Sequence, residues 1–150
     1  MSAPVPLPDL PVTFRPTRTR AVLLTVGAAL FAVLTAIALL LTRLGTGEKL
    51  TFVLTGALFF GVTALFSRPK VVADDGGVTV VNLTTRRRLT WPEVLRVNLR
   101  SGDPWVYLDL ADGTSLPAMG IQPGIAKERA IRDARALRAL AEEYGTSSRD

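Results

Sequence analysis

Two long uncharged segments near the start of the chain constrain its fold more than any other feature. Residues 21–41 and 50–66 contain no charged side chain, and residues 42–49 between them are polar and include two glycines. As a helix, the first segment would span about 31 Å, which matches a hydrocarbon core of roughly 30 Å. We therefore expect a transmembrane hairpin over residues 21–67, with helices at 21–41 and 50–66.

Two other interpretations of these segments fit less well. A cleaved signal peptide has an apolar region of roughly 7–15 residues followed by a small-residue cleavage site. The first segment is longer, and no such site follows Leu41. A helical hairpin inside a soluble core would carry a polar stripe, whereas Thr and Gly are the only residues here that are not apolar.

Small residues recur at intervals of four within each apolar segment. They are Ala28, Ala32 and Ala36 in the first, and Ala57 and Gly61 in the second. This spacing gives a smooth helix face that lets backbones approach closely. Ordinary use of Ala and Gly in membrane helices also explains it. The more specific hypothesis is that these residues form a contact between the two helices or between protomers. In the second case, a homo-oligomer would form through Ala28, Ala32, Ala57 and Gly61.

Composition argues against most enzyme chemistry and against a nucleic-acid partner. The chain has no Cys and no His, so thiolate nucleophiles, zinc-thiolate sites and the commonest general base are absent. No nucleophile motif or phosphate-binding loop is present, and the paired aspartates fit turns. Residues 68–150 hold 13 basic and 11 acidic groups, which is too balanced for a nucleic-acid surface. We expect no enzymatic activity, no cofactor, no metal and no catalytic residue.

The segment before the hairpin predicts its orientation. Residues 1–20 contain five prolines and are expected to form a flexible, Pro/Arg-rich tail. Three arginines lie in this tail, against two basic residues in the bend. Lys and Arg favour the cytoplasmic side. The sequence therefore predicts a multi-pass protein of the cell (plasma) membrane with both termini in the cytoplasm.

After the hairpin the apolar period changes to two, which is typical of strands. Six strands are predicted, at 70–73, 78–83, 86–91, 94–100, 105–110 and 114–118. Leu95, Val97 and Leu99 are expected to face inward together, and Pro117 suggests an edge strand. The period then becomes helical from Ala126 to Tyr144, with Gly145 as the expected stop. A disordered tail is expected over residues 146–150.

This order of elements resembles the pleckstrin-homology (PH) plan, in which an antiparallel barrel or bent sheet is capped by a C-terminal amphipathic helix. The segment Arg86-Arg87-Arg88-Leu89-Thr90-Trp91-Pro92-Glu93-Val94 resembles the basic strand, Trp, acidic and aliphatic segment of bacterial PH-like domains. With two membrane helices ahead, the chain is similar, over roughly residues 10–144, to small membrane proteins of high-GC bacteria carrying the PH domain of the low-molecular-weight protein antigen type. The resemblance implies an α+β domain at 68–145 and a seventh strand that the pattern does not locate.

Two groups of residues are candidate surface contacts. Arg86, Arg87 and Arg88 lie on one strand, where they either guard a solvated edge or meet anionic lipid headgroups or an acidic partner. Trp105 and Tyr107 alternate with inward residues, so they either pack against the domain or form an exposed aromatic pair that contacts a partner or the membrane interface. Trp91, in contrast, is expected in the core.

The sequence thus favours a membrane-anchored, non-enzymatic PH-like interaction or adaptor module at the cytoplasmic face of the membrane. Its expected partners are the lipid bilayer and another membrane or cytoplasmic protein. The alternative is a structural subunit whose hairpin pairs with another membrane protein or with itself.

Overall fold

The computed structural model describes residues 5–147 and divides the chain into two compact units. One is the helical hairpin, Thr17–Arg68. The other combines the residues before Thr17 with those from Pro69 onward. The hairpin is therefore an insertion within the chain of the second unit, which is called the domain below.

The hairpin consists of α1 (Thr17–Leu40) and α2 (Thr46–Phe66). Each helix begins four residues before the predicted start, because Thr17–Arg20 and Thr46–Lys49 continue the helical backbone into polar sequence. Both helices are long and apolar enough to cross a membrane. Only 11% and 6% of their most apolar windows are buried, which does not fit core helices of a soluble protein.

The helices of the hairpin approach each other at two glycines. A Cβ on Gly27 would collide with the Thr63 hydroxyl, and one on Gly56 would lie 3.2 Å from the Phe31 Cα atom. The predicted small residues lie elsewhere: the hypothesis that they form the contact between the two helices is wrong, because all of them are exposed. They are Ala28, Ala32, Ala36, Ala57 and Gly61.

The domain has seven strands in two antiparallel sheets. The first sheet has the order β1 (Val12–Phe14), β2 (Lys70–Asp74), β3 (Gly77–Val81), β4 (Arg86–Thr90). The second has the order β5 (Val94–Asn98), β6 (Val106–Leu110), β7 (Ser115–Ala118). The six predicted strands are all present with ends that differ by at most two residues, and β7, which contains Pro117, is an edge strand as predicted.

The seventh strand, β1, precedes the hairpin and shows that the predicted flexible tail over residues 1–20 is wrong for residues 12–14, while residues 1–4 of that tail lie outside the described part. Val12 and Phe14 pair with Ala73 and Val71 of β2. Phe14 is 5% exposed and belongs to the core of the domain. Only two residues separate β1 from α1, and three separate α2 from β2. The predicted domain boundary at residue 68 therefore omits a strand.

The helix α3 (Lys127–Ser147) closes the domain. Its apolar face buries Ala130, Ala134, Leu137 and Leu140 against both sheets' inner residues. The prediction that Gly145 ends the helix is wrong: the helix continues to Ser147, so the domain passes the expected boundary at 145. The Tyr144 ring stacks on Trp91 at 5.7 Å, which holds this last turn against the domain. Of the predicted tail at 146–150, residues 148–150 lie outside the described part.

Candidate functional site

Arg88, in the predicted basic cluster, forms hydrogen bonds to the turn between β2 and β3. Its guanidinium donates to both carboxylate oxygens of Asp74, at 2.5 and 2.6 Å, and to the Thr79 hydroxyl at 3.1 Å. Asp74 also accepts the backbone N–H groups of Gly76 and Gly77. Arg88 therefore stabilises a hairpin turn and is not a free cation for a headgroup.

This bonding changes the acid–base behaviour of Asp74. The Arg88 hydrogen bond is the largest cause that lowers the pKa of the Asp74 carboxyl, and the backbone donors of the turn act in the same direction. The carboxylate is thus held ionised within the turn. Charge-assisted bonds of this bidentate kind are among the stronger hydrogen bonds in proteins.

The other two arginines of the cluster are both exposed and differ in their contacts. Arg87 lies 3.7 Å from the Asp112 carboxylate. Asp112 accepts hydrogen bonds from Thr114, which are the largest cause of its lowered pKa. Arg86, at the start of β4, is exposed. The cluster thus offers less free positive charge than its sequence suggests.

The predicted aromatic pair is only partly accessible. Trp105 and Tyr107 are both half-buried, and the Trp105 indole nitrogen is buried without a hydrogen-bond partner among residues 5–147. The pair is therefore accessible only in part, and its contact with a partner or with lipid stays a prediction. The pair also lies in the sheet of β5–β7, whereas the arginine cluster lies in the other sheet. The structure does not bring the two groups into one site.

Trp91 has the structural role that was predicted for it. The side chain is 3% exposed, and its indole nitrogen donates to the Asp74 carbonyl at 3.0 Å. Glu93, two residues later, accepts hydrogen bonds from the Thr90 N–H and hydroxyl, and these lower the pKa of its carboxyl. These contacts fix the short turn Trp91–Glu93 that leads from one sheet to the other.

A surface feature that sequence reasoning missed is a groove between β5 and the C-terminal half of α3, called the β5–α3 groove below. Its cavity volume is about 310 Å³. One wall is formed by Leu95, Arg96 and Asn98 of β5, and the other by α3. The α3 residues lining it are Arg138, Ala141, Glu142, Gly145 and Thr146.

A β-bulge creates the apolar wall of this groove. The pairing of β5 with β6 shifts between Val94 and Arg96, so that Leu95 is an extra residue. Leu95 was predicted to face inward with Val97, but it is 51% exposed, because the bulge reverses its side. Strict alternation in the sequence gave no signal of this irregularity.

The edge of β5 faces α3 across the groove. Arg138 of α3 donates from Nε and Nη2 to the Val97 carbonyl oxygen, at 3.3 and 2.7 Å. In an antiparallel ladder, a residue's backbone groups point either to the partner strand or away from it. The Val97 carbonyl therefore points away from β6, and a side chain from α3 supplies its hydrogen bond.

The described residues offer little for catalysis or metal binding. No group of three or more His, Cys, Asp or Glu side chains that could hold a metal ion occurs within residues 5–147. The carboxylates with lowered pKa values take part in turns, as the sequence suggested. The absence of enzymatic activity stays a prediction.

Comparisons with known proteins agree with this architecture. Residues 68–140 match a family model described as "Bacterial PH domain". The match begins after the hairpin and so does not include β1. No solved structure matches the chain significantly.

Three curated relatives carry descriptions that give no function. They are uncharacterized proteins Rv1417 and MT1460 of Mycobacterium tuberculosis and Mb1452 of Mycobacterium bovis, each 32% identical over 99 residues. The aligned region covers 66% of this chain and 64% of each relative. The seven strands and the closing helix of the domain agree with this match, and residues 68–140 are similar to the bacterial PH domain family.

Proposed function

We propose that this protein is a membrane-anchored, non-enzymatic interaction module whose PH-like domain lies at the cytoplasmic face of the cell membrane. Two helices with the length and composition of membrane spans support the anchor. A compact domain with a groove, and without a recognisable catalytic cluster among residues 5–147, supports an interaction role.

One observation carries the proposal most directly: β1 and β2 pair although the whole hairpin separates them in the chain. A strand cannot pair with its neighbour through a bilayer, so both ends of the hairpin must emerge on the same side. That requires an even number of crossings, which two spanning helices provide. The domain and the N-terminal segment then share one compartment.

The side is proposed from the distribution of basic residues. Five basic residues flank the outer ends of the hairpin, namely Arg15, Arg18, Arg20, Arg68 and Lys70. The bend between the helices has two, Arg43 and Lys49. Positively charged flanks favour the cytoplasm, so the domain is placed there and the bend outside.

Cysteine labelling tests this arrangement in a chain without native Cys. Single substitutions Asp9→Cys, Gly45→Cys and Ser101→Cys would be treated with a membrane-impermeant maleimide on intact cells. We expect labelling at position 45 alone, and labelling at all three positions after the membrane is opened. Labelling of Ser101→Cys from outside would contradict a cytoplasmic domain, and opposite sides for positions 9 and 101 would contradict the paired strands.

A second candidate is a structural subunit whose hairpin pairs with another membrane protein or with itself. The exposure of Ala28, Ala32, Ala57 and Gly61 favours it, because these small residues present smooth faces away from the contact between α1 and α2. Immobilising the hairpin and the domain separately and identifying what each retains from solubilised membranes distinguishes the two. Recruitment of the same partner by the hairpin alone would favour the structural subunit.

A further inference from the structure

We propose that the β5–α3 groove binds an extended acidic peptide segment of a partner protein, which adds as a strand along the free edge of β5. This inference rests on the proposed function, since it names the chemistry of the partner that the module would recognise. It uses the groove, and neither the arginine cluster of β4 nor the Trp105–Tyr107 pair.

The first argument is the edge itself. The order β5–β6–β7 leaves one side of β5 without a neighbouring strand, and this side faces the groove. The Val97 carbonyl points into that space, where the Arg138 guanidinium reaches it from α3. An added strand would lie about 4.8 Å from β5 and would offer backbone N–H groups to this edge.

The second argument is the apolar lining. The bulge exposes Leu95 on one side of the groove, and Ala141 and Gly145 give α3 a low surface on the other. A Cβ on Gly145 would lie 3.6 Å from the Trp91 carbonyl oxygen, which is ordinary van der Waals contact. The local packing therefore does not require glycine at this position. Alternate side chains of an extended peptide could therefore pack between β5 and the helix.

The third argument is charge. Arg96 and Arg138 line the groove with two guanidinium groups, against one carboxylate, Glu142. Among residues 5–147, neither arginine forms an ion pair with a carboxylate, whereas Arg87, Arg88 and Arg129 do. Arg138 is bonded to a neutral carbonyl, which leaves its charge uncompensated. On binding, a peptide N–H would replace Arg138 as the hydrogen-bond donor to the Val97 carbonyl. The freed guanidinium of Arg138 and that of Arg96 would then pair with carboxylates of the peptide.

The chain's own N-terminal segment does not supply this peptide in the structure. Val5 and Leu7 line a neighbouring cavity on α3 that shares Arg138, Glu142 and Thr146 with the β5–α3 groove, but neither of them lines the groove itself. Since the described part of the N-terminal segment leaves the groove itself open, the proposal commits to a segment of a separate protein, chosen for its charge.

The test measures binding of fluorescein-labelled octapeptides to the purified full-length chain in detergent micelles. The main probe alternates Glu and Val. Two further probes have the same sequence with backbone N-methyl groups on every Glu or on every Val, and a fourth is octaglutamate. In a strand, alternate N–H groups point to opposite edges. We therefore expect one N-methylated peptide to lose binding by about tenfold or more while the other retains it, because each lost backbone bond costs about 1 kcal/mol.

Matched charge variants locate the site. Arg96→Glu should weaken binding of the Glu–Val peptide by roughly tenfold, and Glu142→Gln should strengthen it by roughly threefold, as for exposed ion pairs. Arg86→Glu, which makes the same change on exposed β4, should leave the affinity unchanged.

Several outcomes would overturn the inference. The first is that the folded protein does not bind the Glu–Val peptide, or binds both N-methylated peptides or octaglutamate with the same affinity as that peptide. The second is that Arg86→Glu lowers the affinity as much as Arg96→Glu does. The third is that anionic vesicles displace the peptide at physiological salt. The purified chain needs no orientation in a membrane. If the peptide does not bind but the cysteine labelling is as predicted, the peptide site is wrong and the proposed topology stands. If the peptide binds but the labelling is reversed, the same site lies on the outer face of the membrane.

Discussion

Phe14 shows at the scale of one residue how the segment before the hairpin belongs to the domain. Its ring is 5% exposed and packs in the core formed by the strands and α3. Truncating a buried Phe removes its transfer free energy and leaves a cavity. The sequence around it, between Pro11 and Pro16, suggested only an extended tail.

We expect Phe14→Ala to lower the free energy of unfolding of the domain by about 3 kcal/mol. The control Thr13→Ala, at an exposed position of the same strand, should change it by less than about 0.5 kcal/mol. Urea unfolding followed by tryptophan fluorescence measures this, because both tryptophans, Trp91 and Trp105, lie in the domain. Equal effects of the two substitutions would show that β1 does not contribute to the core.

Asp74 provides a pH-dependent prediction at the same scale. Its pKa is lowered in the folded domain, chiefly by Arg88. A lowered carboxyl pKa stabilises the fold above the unfolded value, and this contribution is lost as the pH falls below about 4. Glu93 and Asp112, whose pKa values are also lowered, act in the same sense. Burial raises the pKa of Asp133, so that residue acts in the opposite sense.

Comparison with Asp74→Asn isolates the contribution of one carboxylate. The native chain should be more stable than the variant at pH 7, and the difference should shrink as the pH falls from 5 towards 2. In an Arg88→Gln background the pH dependence of this difference should be much smaller. A difference that stays constant with pH in the native background would show that the Asp74–Arg88 pair does not stabilise the turn. Urea unfolding at each pH gives these free energies.

Among the elements, α3 is the one that the sequence predicted best, because its apolar residues repeat with the helical period along the chain. Leu137 and Leu140 are completely buried in the structure. The end of α3 was harder to predict, since Gly145 is a good stop signal in isolation, and the stacking of Tyr144 on Trp91 is a tertiary contact.

We expect Leu137→Asp to unfold the domain, because it places a carboxylate on the packing face of α3 without a partner. Arg135→Asp is the matched control, since it introduces the same side chain at an exposed position of the same helix. Near-ultraviolet circular dichroism at 25 °C measures the loss of fixed aromatic packing. Unchanged spectra for Leu137→Asp would contradict a closing role for α3.

The strands divide into those that sequence could locate and one that it could not. The strands β2 to β7 follow each other through short turns, so apolar alternation and turn residues mark them. The three-residue strand β1 pairs only across the hairpin, and no local pattern signals such a contact. The β5–α3 groove was missed for a related reason, because the bulge at Leu95 breaks the alternation that predicted its orientation.

The split domain makes a prediction about which segment folds alone. A fragment of residues 68–150 contains the whole of the domain predicted at 68–145, but it lacks β1 and Phe14. Replacing residues 16–69 by Asn-Gly would join Arg15 to Lys70 in the register that pairs Phe14 with Val71. We expect this variant to unfold cooperatively and to be more stable than the 68–150 fragment by about 3 kcal/mol. Equal stability of the two would show that β1 is dispensable.

At the scale of the whole molecule, the hairpin interrupts the domain between its first and second strands. The two connections are two and three residues long and each contains a proline, Pro16 and Pro69. Completion of the first sheet therefore requires that the segment before the hairpin pairs with the segment after it. In the proposed membrane arrangement, this pairing places both ends of the hairpin on one side of the bilayer.

Cross-linking β1 to β2 in native membranes tests this central claim most directly. Thr13 and Val72 are Cα partners across the two strands, so the double substitution Thr13→Cys/Val72→Cys should form an intrachain disulfide on mild oxidation. Protection of both thiols from maleimide–polyethylene glycol would report it on a gel. The control Thr13→Cys/Thr85→Cys, with an exposed position beyond β3, should remain unlinked. Failure of the 13–72 pair to cross-link in membranes where the domain is folded would contradict a hairpin inserted between two paired strands.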